Sequence, residues 1–365
     1  MRRAATLISC AALGLTGCLG GDDDEPARIP GRVATVYTSV PRHGVSVSDA
    51  ERVLAGERRA LAQRHGRAGD IRVRLRELPA TDDRDHPWDP GLVAANANRA
   101  VDDPTAMAYL GELDYGATAV SLPITNKAGL LQVSPGDGLT SLVRRPPGRP
   151  RAGPERYYPT GRRSFVRIGP SDLDEARALV KRLDALGATR IAVVFDREIY
   201  GRELTAQLTT LGRAEGMTPV AAEEYRGRVE DIPDIARRLG EAAPDAVVIL
   251  GVAGRGTIPM LVSIAARLPG VPVLASSGIL ALPELAPPPE PERLEAVGPA
   301  LDPERAGHEA MALVLDAIER GGRDRRRVIA AGLALGRSLA DARVVLYRPG
   351  SDGHFSRVAT RFSSR

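Results

Sequence analysis

The chain has 365 residues, of which 43% are hydrophobic and 26% are charged, and its formal net charge is +4. Such a chain is globular and long enough for two domains. The positive excess is spread along the chain and only 4% of the residues are aromatic, so the composition excludes a basic surface with interleaved aromatic residues of the kind that binds nucleic acid.

The N-terminal segment has the pattern of an export signal. It begins with Met1-Arg2-Arg3, runs mostly apolar to Leu15 and ends in Thr16-Gly17-Cys18. The apolar stretch is shorter than the ~20 residues that cross a bilayer. Its end resembles a bacterial lipobox, which implies a lipoprotein signal peptide over residues 1–18, a lipid anchor on Cys18 and an extracytoplasmic location at the membrane; plain secretion is the alternative.

Residues 19–31 are rich in glycine and acidic side chains and predict a flexible tether. Three adjacent aspartates on such a segment indicate hydration rather than a metal site. The only cysteines are Cys10, within the signal, and Cys18, so the mature body is expected to have no disulfide and to depend on its core for stability.

From residue 32 onward, short apolar runs alternate with amphipathic stretches, which predicts parallel sheets flanked by helices. In the first half, helices are expected after Ser48-Asp49-Ala50-Glu51, which has capping-box spacing, after Asp89-Pro90, and from about Gly116. The strands expected there are 33–40, 71–76, 106–110 and 130–133.

Residues 144–163 interrupt this rhythm and predict an exposed loop. The alternation then restarts, with strands expected at 165–168, 190–195, 218–222, 246–250 and 271–275 and helices at 171–187, 201–215, 232–243 and 257–268. Two doubly wound α/β units are the simplest interpretation, and their ligand would bind in the cleft between them, beyond the carboxyl ends of the strands.

Several motifs, taken in order, resemble type I periplasmic binding proteins of the leucine/isoleucine/valine-binding kind. They are Gly111-Glu-Leu-Asp-Tyr-Gly-Ala-Thr118, Pro123-Ile-Thr-Asn-Lys-Ala-Gly-Leu-Leu-Gln-Val-Ser-Pro135, Arg167-Ile-Gly-Pro-Ser-Asp172, Tyr200-Gly201 after a strand, Pro244-Asp245-Ala246 before a strand, and the helix 307–318. The resemblance is stronger over residues 32–277 than in the C-terminal part.

The resemblance implies two doubly wound Rossmann-like lobes joined by three crossings, with a shortened C-terminal part. It places the N-terminal lobe in residues 32–160 plus about 280–322. The C-terminal lobe would comprise residues 161–279 plus about 323–365, with the segments 326–334, 344–347 and 355–359 returning to that lobe and to the hinge.

The resemblance also implies a ligand site between the lobes. Its expected members are His43, Tyr115, Gly116, Gly138, Tyr200 and Ser277. In the family a helix start after the position of Gly111 binds a ligand carboxylate, because free N–H groups and the helix dipole favour an anion there.

Three positions depart from the family pattern: Tyr115 replaces a carboxylate-binding serine, Gly138 replaces a threonine, and Ser277 replaces an acidic residue. An amino-acid ammonium would then lack its partner, which costs several kcal/mol in a closed cleft, so a branched-chain amino acid is not the expected ligand. Tyr115 either lines the cleft or plugs a dead pocket, and Tyr200 either contacts the ligand or packs the lobe. His43 is either a pH-sensitive contact or an idle loop residue.

Catalytic patterns are missing from the sequence. None of the histidines has an i,i+4 partner, and neither a Gly-x-Ser-x-Gly elbow nor a Walker loop occurs. We therefore expect no enzyme activity, catalytic residue, metal or cofactor. The expected function is a monomeric solute-binding lipoprotein that delivers a small polar or aromatic solute to an ABC permease. A sensor or interaction lipoprotein that kept the fold without transport is the alternative.

Overall fold

The computed structural model describes residues 28–44, 46–81, 88–281, 291–338 and 343–361. The predicted signal peptide, Cys18 and most of the predicted tether lie outside these ranges. No helix within them is both long and apolar enough to cross a bilayer. Nor do the described residues contain a group of three or more His, Cys, Asp or Glu side chains arranged to hold a metal ion.

Strands and helices alternate along most of the chain. The strands are β1 Val33–Val40, β2 Arg67–Ala68, β3 Ile71–Pro79, β4 Ala106–Leu110, β5 Leu131–Ser134, β6 Phe165–Arg167, β7 Arg190–Asp196, β8 Thr218–Tyr225, β9 Ala246–Leu250, β10 Val273–Ala275, β11 Leu294–Pro299, β12 Val344–Pro349 and β13 Phe355–Arg361. The α-helices are α1 Val47–Gln63, α2 Pro90–Val101, α3 Thr118–Lys127, α4 Asp172–Ala185, α5 Ile199–Ala214, α6 Ile232–Glu241, α7 Thr257–Arg267, α8 Pro303–Gly321 and α9 Arg325–Ser338.

The N-terminal lobe is built on a sheet with the strand order β2-β3-β1-β4-β5-β6, parallel except for β2. The central strands β1 and β4 are buried along almost their whole length, whereas β3 alternates between buried and exposed residues, as its alternating sequence predicts. Helices α1, α8 and α9 cover one face, and α2 and α3 cover the other.

Helices α1 and α8 pack unusually closely because glycines lie at their contact. A Cβ on Gly56 would collide with the α8 backbone at Glu304, and a Cβ on Gly307 would collide with the α1 backbone at Val53. This contact attaches a helix from the last fifth of the chain to the first helix of the N-terminal lobe.

The C-terminal lobe has the strand order β13-β12-β11-β10-β9-β7-β8, in which β12 and β13 are antiparallel to their neighbours. Helices α4 and α5 bury one face of this sheet, and α6 and α7 bury the other. Strands β7 and β9 are adjacent, but the helices that follow them, α5 and α7, lie on opposite faces. This divergence leaves a crevice at their carboxyl ends.

The chain passes between the lobes three times: after β6, between β11 and α8, and between α9 and β12. The prediction of two doubly wound lobes joined by three crossings is therefore confirmed. Two of the predicted boundaries are wrong. Strand β11 pairs with β10 in the C-terminal lobe, although residues 280–322 were assigned to the N-terminal lobe. Helix α9 packs on α8, β5 and β6 of the N-terminal lobe, although residues 323–365 were assigned to the C-terminal lobe.

Other local predictions are also corrected. The N-terminal lobe begins before residue 32, because Ile29 is buried and its N–H donates to the carbonyl oxygen of Arg323. Ser48 forms no capping box, since α1 already begins at Val47. Residues 144–163 are not simply exposed, because Tyr157 and Tyr158 belong to a buried cluster.

Candidate functional site

The lobes meet where the carboxyl ends of their strands face each other. Tyr115 lies on the loop between β4 and α3 of the N-terminal lobe, Tyr200 lies in the first turn of α5, and Ser277 follows β10. The structure brings these three predicted site residues together at one place.

The two tyrosines stack across the junction. Their ring centroids are 3.8 Å apart and their planes are inclined by 23°. Tyr200 is fully buried and Tyr115 is half-buried. The contact removes aromatic surface of both rings from water, so this pair stabilises the closed arrangement of the lobes.

Glu175, in the first turn of α4, accepts hydrogen bonds from all three of these residues. Its carboxylate accepts from the Tyr115 hydroxyl at 2.5 Å and from the Tyr200 hydroxyl at 2.6 Å. It also accepts from the Ser277 N–H at 3.1 Å and the Ser277 hydroxyl at 2.8 Å. We call Tyr115, Glu175, Tyr200 and Ser277 the interlobe cluster.

The electrostatics of the interlobe cluster follow from burial. Burial raises the pKa of Glu175, and the hydrogen bonds from Tyr115, Tyr200 and Ser277 partly oppose this rise because they favour the ionised form. Burial, followed by the neighbouring Glu175 charge, holds the pKa of both tyrosines well above their usual value. Both phenols therefore remain protonated donors at neutral pH.

A second buried carboxylate occupies the start of helix α3. Asp137 Oδ2 accepts from the N–H groups of Gly116 at 3.1 Å and Thr118 at 3.0 Å, and Oδ1 accepts from the N–H of Leu139 at 3.1 Å. Asp137 is fully buried. Free N–H groups at a helix start attract an anion, and here the chain supplies that anion itself.

The predicted glycines make room for this closed arrangement. Gly116 has a φ of +87°, and a Cβ on it would collide with Ile199 at the start of α5. A Cβ on Gly138 would lie 2.8 Å from the Tyr115 hydroxyl oxygen and 2.8 Å from the Pro170 carbonyl oxygen. Because a side chain at position 138 would clash with Tyr115, glycine there makes room for the Tyr115 hydroxyl.

Arg167, at the end of β6, is a cationic residue whose charge interacts with nearby carboxylates. Its Nε donates to the carbonyl oxygen of Gly169 at 3.1 Å. Burial lowers its pKa, while the charges of Asp172, Asp174 and Asp137 favour its ionised form. No ion pair joins it to these carboxylates within the described part of the chain, and its Nη1 is buried without a hydrogen-bond partner there.

His43 follows β1 in the N-terminal lobe. It is exposed on the loop after β1, where the N–H groups of Arg42 and His43 each donate to the Thr81 hydroxyl at 2.9 Å. Its role in ligand binding stays a prediction.

Sequence reasoning missed Glu175 and Asp137. Glu175 lies four and eight residues before Leu179 and Leu183 on the buried stripe of α4. An acidic residue in phase with such a stripe is a detectable signal of a functional or paired carboxyl group. No comparable periodicity marks Asp137, which lies in a loop and meets α3 through tertiary contacts.

A separate cavity of about 450 Å³ lies in the crevice at the carboxyl ends of β7, β8 and β9. Its wall includes Asp196, Tyr225, Arg255 and Met260, and every residue that lines it belongs to the C-terminal lobe. Asp196 accepts from the Val252 N–H at 2.7 Å, and burial raises the pKa of this carboxyl to about 6. The interlobe cluster is not part of this cavity wall.

The family model described as periplasmic binding protein matches residues 80–288. No curated protein matches the chain.

Several solved structures share the fold. An ABC transporter substrate-binding protein from Desulfitobacterium hafniense, in complex with Leu, has a TM-score of 0.69 and 19% identity over 89% of this chain and 100% of its own. A solute-binding protein of an ABC transporter from R. palustris, in complex with 4-hydroxybenzoate, has a TM-score of 0.69 and 14% identity over 90% of this chain and 96% of its own. A leucine-binding protein from Thermotoga maritima has a TM-score of 0.68 and 18% identity over 89% and 98% of the two chains.

Proposed function

Because the chain belongs to the periplasmic binding protein family, we propose that it is an extracytoplasmic solute-binding protein that serves an ABC importer. Its ligand would be a small polar or aromatic organic solute, bound between the lobes. The protein would act as a binding component without enzyme activity.

The observation that carries this proposal is a buried polar site to which both lobes contribute. Tyr115 comes from the N-terminal lobe, whereas Glu175, Tyr200 and Ser277 come from the C-terminal lobe. Polar groups that converge between two lobes are typical of a ligand site, since they fix the orientation of a small molecule. The solved relatives whose ligands are leucine and 4-hydroxybenzoate support an amino-acid-sized or aromatic ligand.

We further propose that the protein is a lipoprotein held at the membrane by Cys18, next to its permease. The support is the sequence of residues 1–18. Labelling with a radioactive fatty acid in a bacterial host should mark the wild-type protein and not Cys18→Ser. Equal labelling of the two would contradict the anchor.

One observation favours the alternative, a sensor or interaction lipoprotein without transport. The chain's own side chains occupy both parts of the cleft, Tyr115 beside Glu175 and Asp137 at the start of α3. A receptor whose cleft is filled in this way would respond to a solute only if the solute displaced Tyr115.

Thermal-shift screening of the purified full chain tests solute binding, which a transport component requires and an interaction protein does not. Amino acids, amides, aromatic acids, aromatic amines and short peptides should be tested, and a ligand present at 100 times its Kd stabilises the folded state by about 2.7 kcal/mol. We expect at least one solute to raise Tm and Tyr200→Ala to abolish that shift. Absence of any shift across the panel would contradict solute binding and favour an interaction lipoprotein.

A further inference from the structure

The interlobe cluster has the form of a small complex between a guest and a host. The guest is Tyr115, whose flat ring stacks on Tyr200 and whose hydroxyl donates to Glu175 at 2.5 Å. The host consists of Tyr200, Glu175 and Ser277. The guest thus displays the shape and chemistry that the host accepts, namely a planar aromatic ring with a hydrogen-bond donor at its edge.

Guest and host belong to different lobes. Glu175 lies on α4, Tyr200 on α5 and Ser277 after β10, all in the C-terminal lobe, whereas Tyr115 precedes α3 in the N-terminal lobe. Separation of the lobes would carry Tyr115 away and leave the host intact. Glu175 would then lose one donor, and a buried carboxylate that lacks a donor binds a replacement strongly.

The N-terminal side of the cleft disfavours a carboxylate on the incoming molecule. Asp137 already accepts from the N–H groups of Gly116 and Thr118, so these donors are occupied by an anion of the chain. A second carboxylate at the start of α3 would meet the charge of Asp137 where these backbone donors are already taken, which selects against it.

We propose that the cleft binds an aromatic solute that carries a phenol or amine donor and no carboxylate. The solute takes the place of the Tyr115 side chain, stacks on Tyr200 and donates to Glu175. This inference rests on the proposed solute-binding function and specifies its ligand class. This ligand class differs from the ligands of two solved relatives, leucine and 4-hydroxybenzoate, both of which carry a carboxylate.

Three phenols that differ only at the end opposite the hydroxyl test the proposal by calorimetry on the full chain. They are p-cresol, which is neutral, tyramine, which is cationic, and 4-hydroxyphenylacetate, which is anionic. We expect p-cresol and tyramine to bind more tightly than 4-hydroxyphenylacetate by about tenfold or more, which corresponds to one charge-assisted interaction. Equal or tighter binding of the anion would overturn the proposal.

Removing the guest sharpens the test. Tyr115→Ala should bind p-cresol about tenfold or more tightly than the wild type does, because the ligand no longer competes with a side chain. Glu175→Gln in the same background should weaken p-cresol binding, and Asp137→Asn should reduce the preference against 4-hydroxyphenylacetate. If Tyr115→Ala fails to fold, Tyr115→Phe, which keeps the ring and loses the hydroxyl, should still gain affinity for p-cresol. A folded Tyr115 variant that does not gain affinity for p-cresol would overturn the proposal.

Two further outcomes would distinguish a wrong ligand class from a wrong function. A wild-type protein that is stabilised only by carboxylate-bearing solutes would retain the solute-binding function and overturn the ligand class. A wild-type protein that binds no solute, while Tyr115→Ala binds p-cresol, would support the guest-and-host chemistry and overturn the function as a receptor.

Discussion

Buried carboxyl groups contribute to the free energy of unfolding in a way that depends strongly on pH. Burial raises the pKa of Glu57 and Glu112 to about 8, and that of Asp114 and Asp172 to about 7. A carboxyl group whose folded pKa exceeds its unfolded pKa binds more protons in the folded state between the two values. Its contribution is therefore most favourable at low pH and is lost as pH rises through that window.

Glu57 offers a direct test of this linkage. It lies on α1, fully buried, and accepts from the Thr38 hydroxyl at 3.2 Å. Glu57→Gln should raise the free energy of unfolding at pH 8 and change it little at pH 4. Between the ordinary pKa of 4.5 and about 8, the advantage should grow by about 1.4 kcal/mol per pH unit. Urea unfolding across this pH range measures it.

Glu77→Gln is the matched control with the opposite sign. Glu77 accepts from Arg42 and Arg58, and these hydrogen bonds lower its pKa. Its contribution is present above the unfolded pKa of 4.5 and is lost as pH falls through the lowered folded pKa, so the substitution should destabilise the protein at neutral pH and lose this effect in acid. Parallel pH profiles for the two variants would contradict the assignment.

The site could be predicted from sequence only in part, and the reason lies in the residues. Tyr115, Tyr200 and Ser277 were identified because they occupy ordered motif positions at strand ends, and the structure brings them together. Glu175 and Asp137 were missed because their roles depend on which loop or helix the tertiary fold places opposite them.

Helices α1 and α4 begin differently, although the sequence has capping-box spacing near the start of both. Ser171 caps α4: its hydroxyl accepts from the Asp174 N–H at 3.2 Å, while the Asp174 carboxylate accepts from the Ser171 N–H at 2.9 Å. Ser48 has the same spacing to Glu51 but lies within α1, which begins one residue earlier. The residue before α1, Ser46, donates to Asp114 at 2.6 Å instead of capping the helix.

Paired serine substitutions distinguish these two helix starts. Ser171→Ala should lower the free energy of unfolding by about 1 kcal/mol, because it removes an N-cap. Ser48→Ala should change it by less than about 0.5 kcal/mol, since an exposed helical serine contributes little. Urea unfolding of both variants provides the comparison, and an equal loss in the two would mean that α1 is capped by Ser48.

Most elements could be predicted because their hydrophobic periodicity is strong. Asp89, for example, caps α2 as expected and accepts from the Leu92 N–H at 2.8 Å. The lobe to which β11 and α9 belong could not be predicted, because periodicity identifies a strand or helix but not its partner. Strand β11 joins β10 through parallel pairing, and α9 packs on α8, contacts that no local pattern encodes.

Across the whole molecule, a second contact outside the interlobe cluster also holds the two lobes together. Residues 144–153, which we call the strap, reach from the N-terminal lobe to α5 of the C-terminal lobe. Gly148 lies against Ala206 and Thr210, and Arg149 Nε donates to Glu203 Oε1 at 3.1 Å. The Glu203 side chain is only 2% exposed, whereas that of Arg149 is 46% exposed.

Breaking the strap contact should loosen the closed form. Arg149→Met removes the cation beside a buried carboxylate, and we expect a loss of about 1–3 kcal/mol, less than for a fully buried pair because Arg149 is half-exposed. Arg151→Met, on the same strap but at an exposed position, should be nearly neutral. Urea unfolding gives the energies, and small-angle X-ray scattering should show a larger radius of gyration for Arg149→Met alone. Indistinguishable variants would contradict the role of the strap.

Tyr115 affects how occupancy of the cleft depends on the concentration of the solute. Because it is tethered to the same chain as Glu175, it acts as an internal competitor whose effective concentration does not change when the protein is diluted. The apparent affinity for a displacing solute equals the intrinsic affinity multiplied by the fraction of molecules in which Tyr115 has withdrawn. Each 1.4 kcal/mol that favours closure therefore raises the solute concentration needed for half-occupancy tenfold. Substitutions at the strap, which lies outside the interlobe cluster, would then retune the response threshold of the receptor without altering its selectivity.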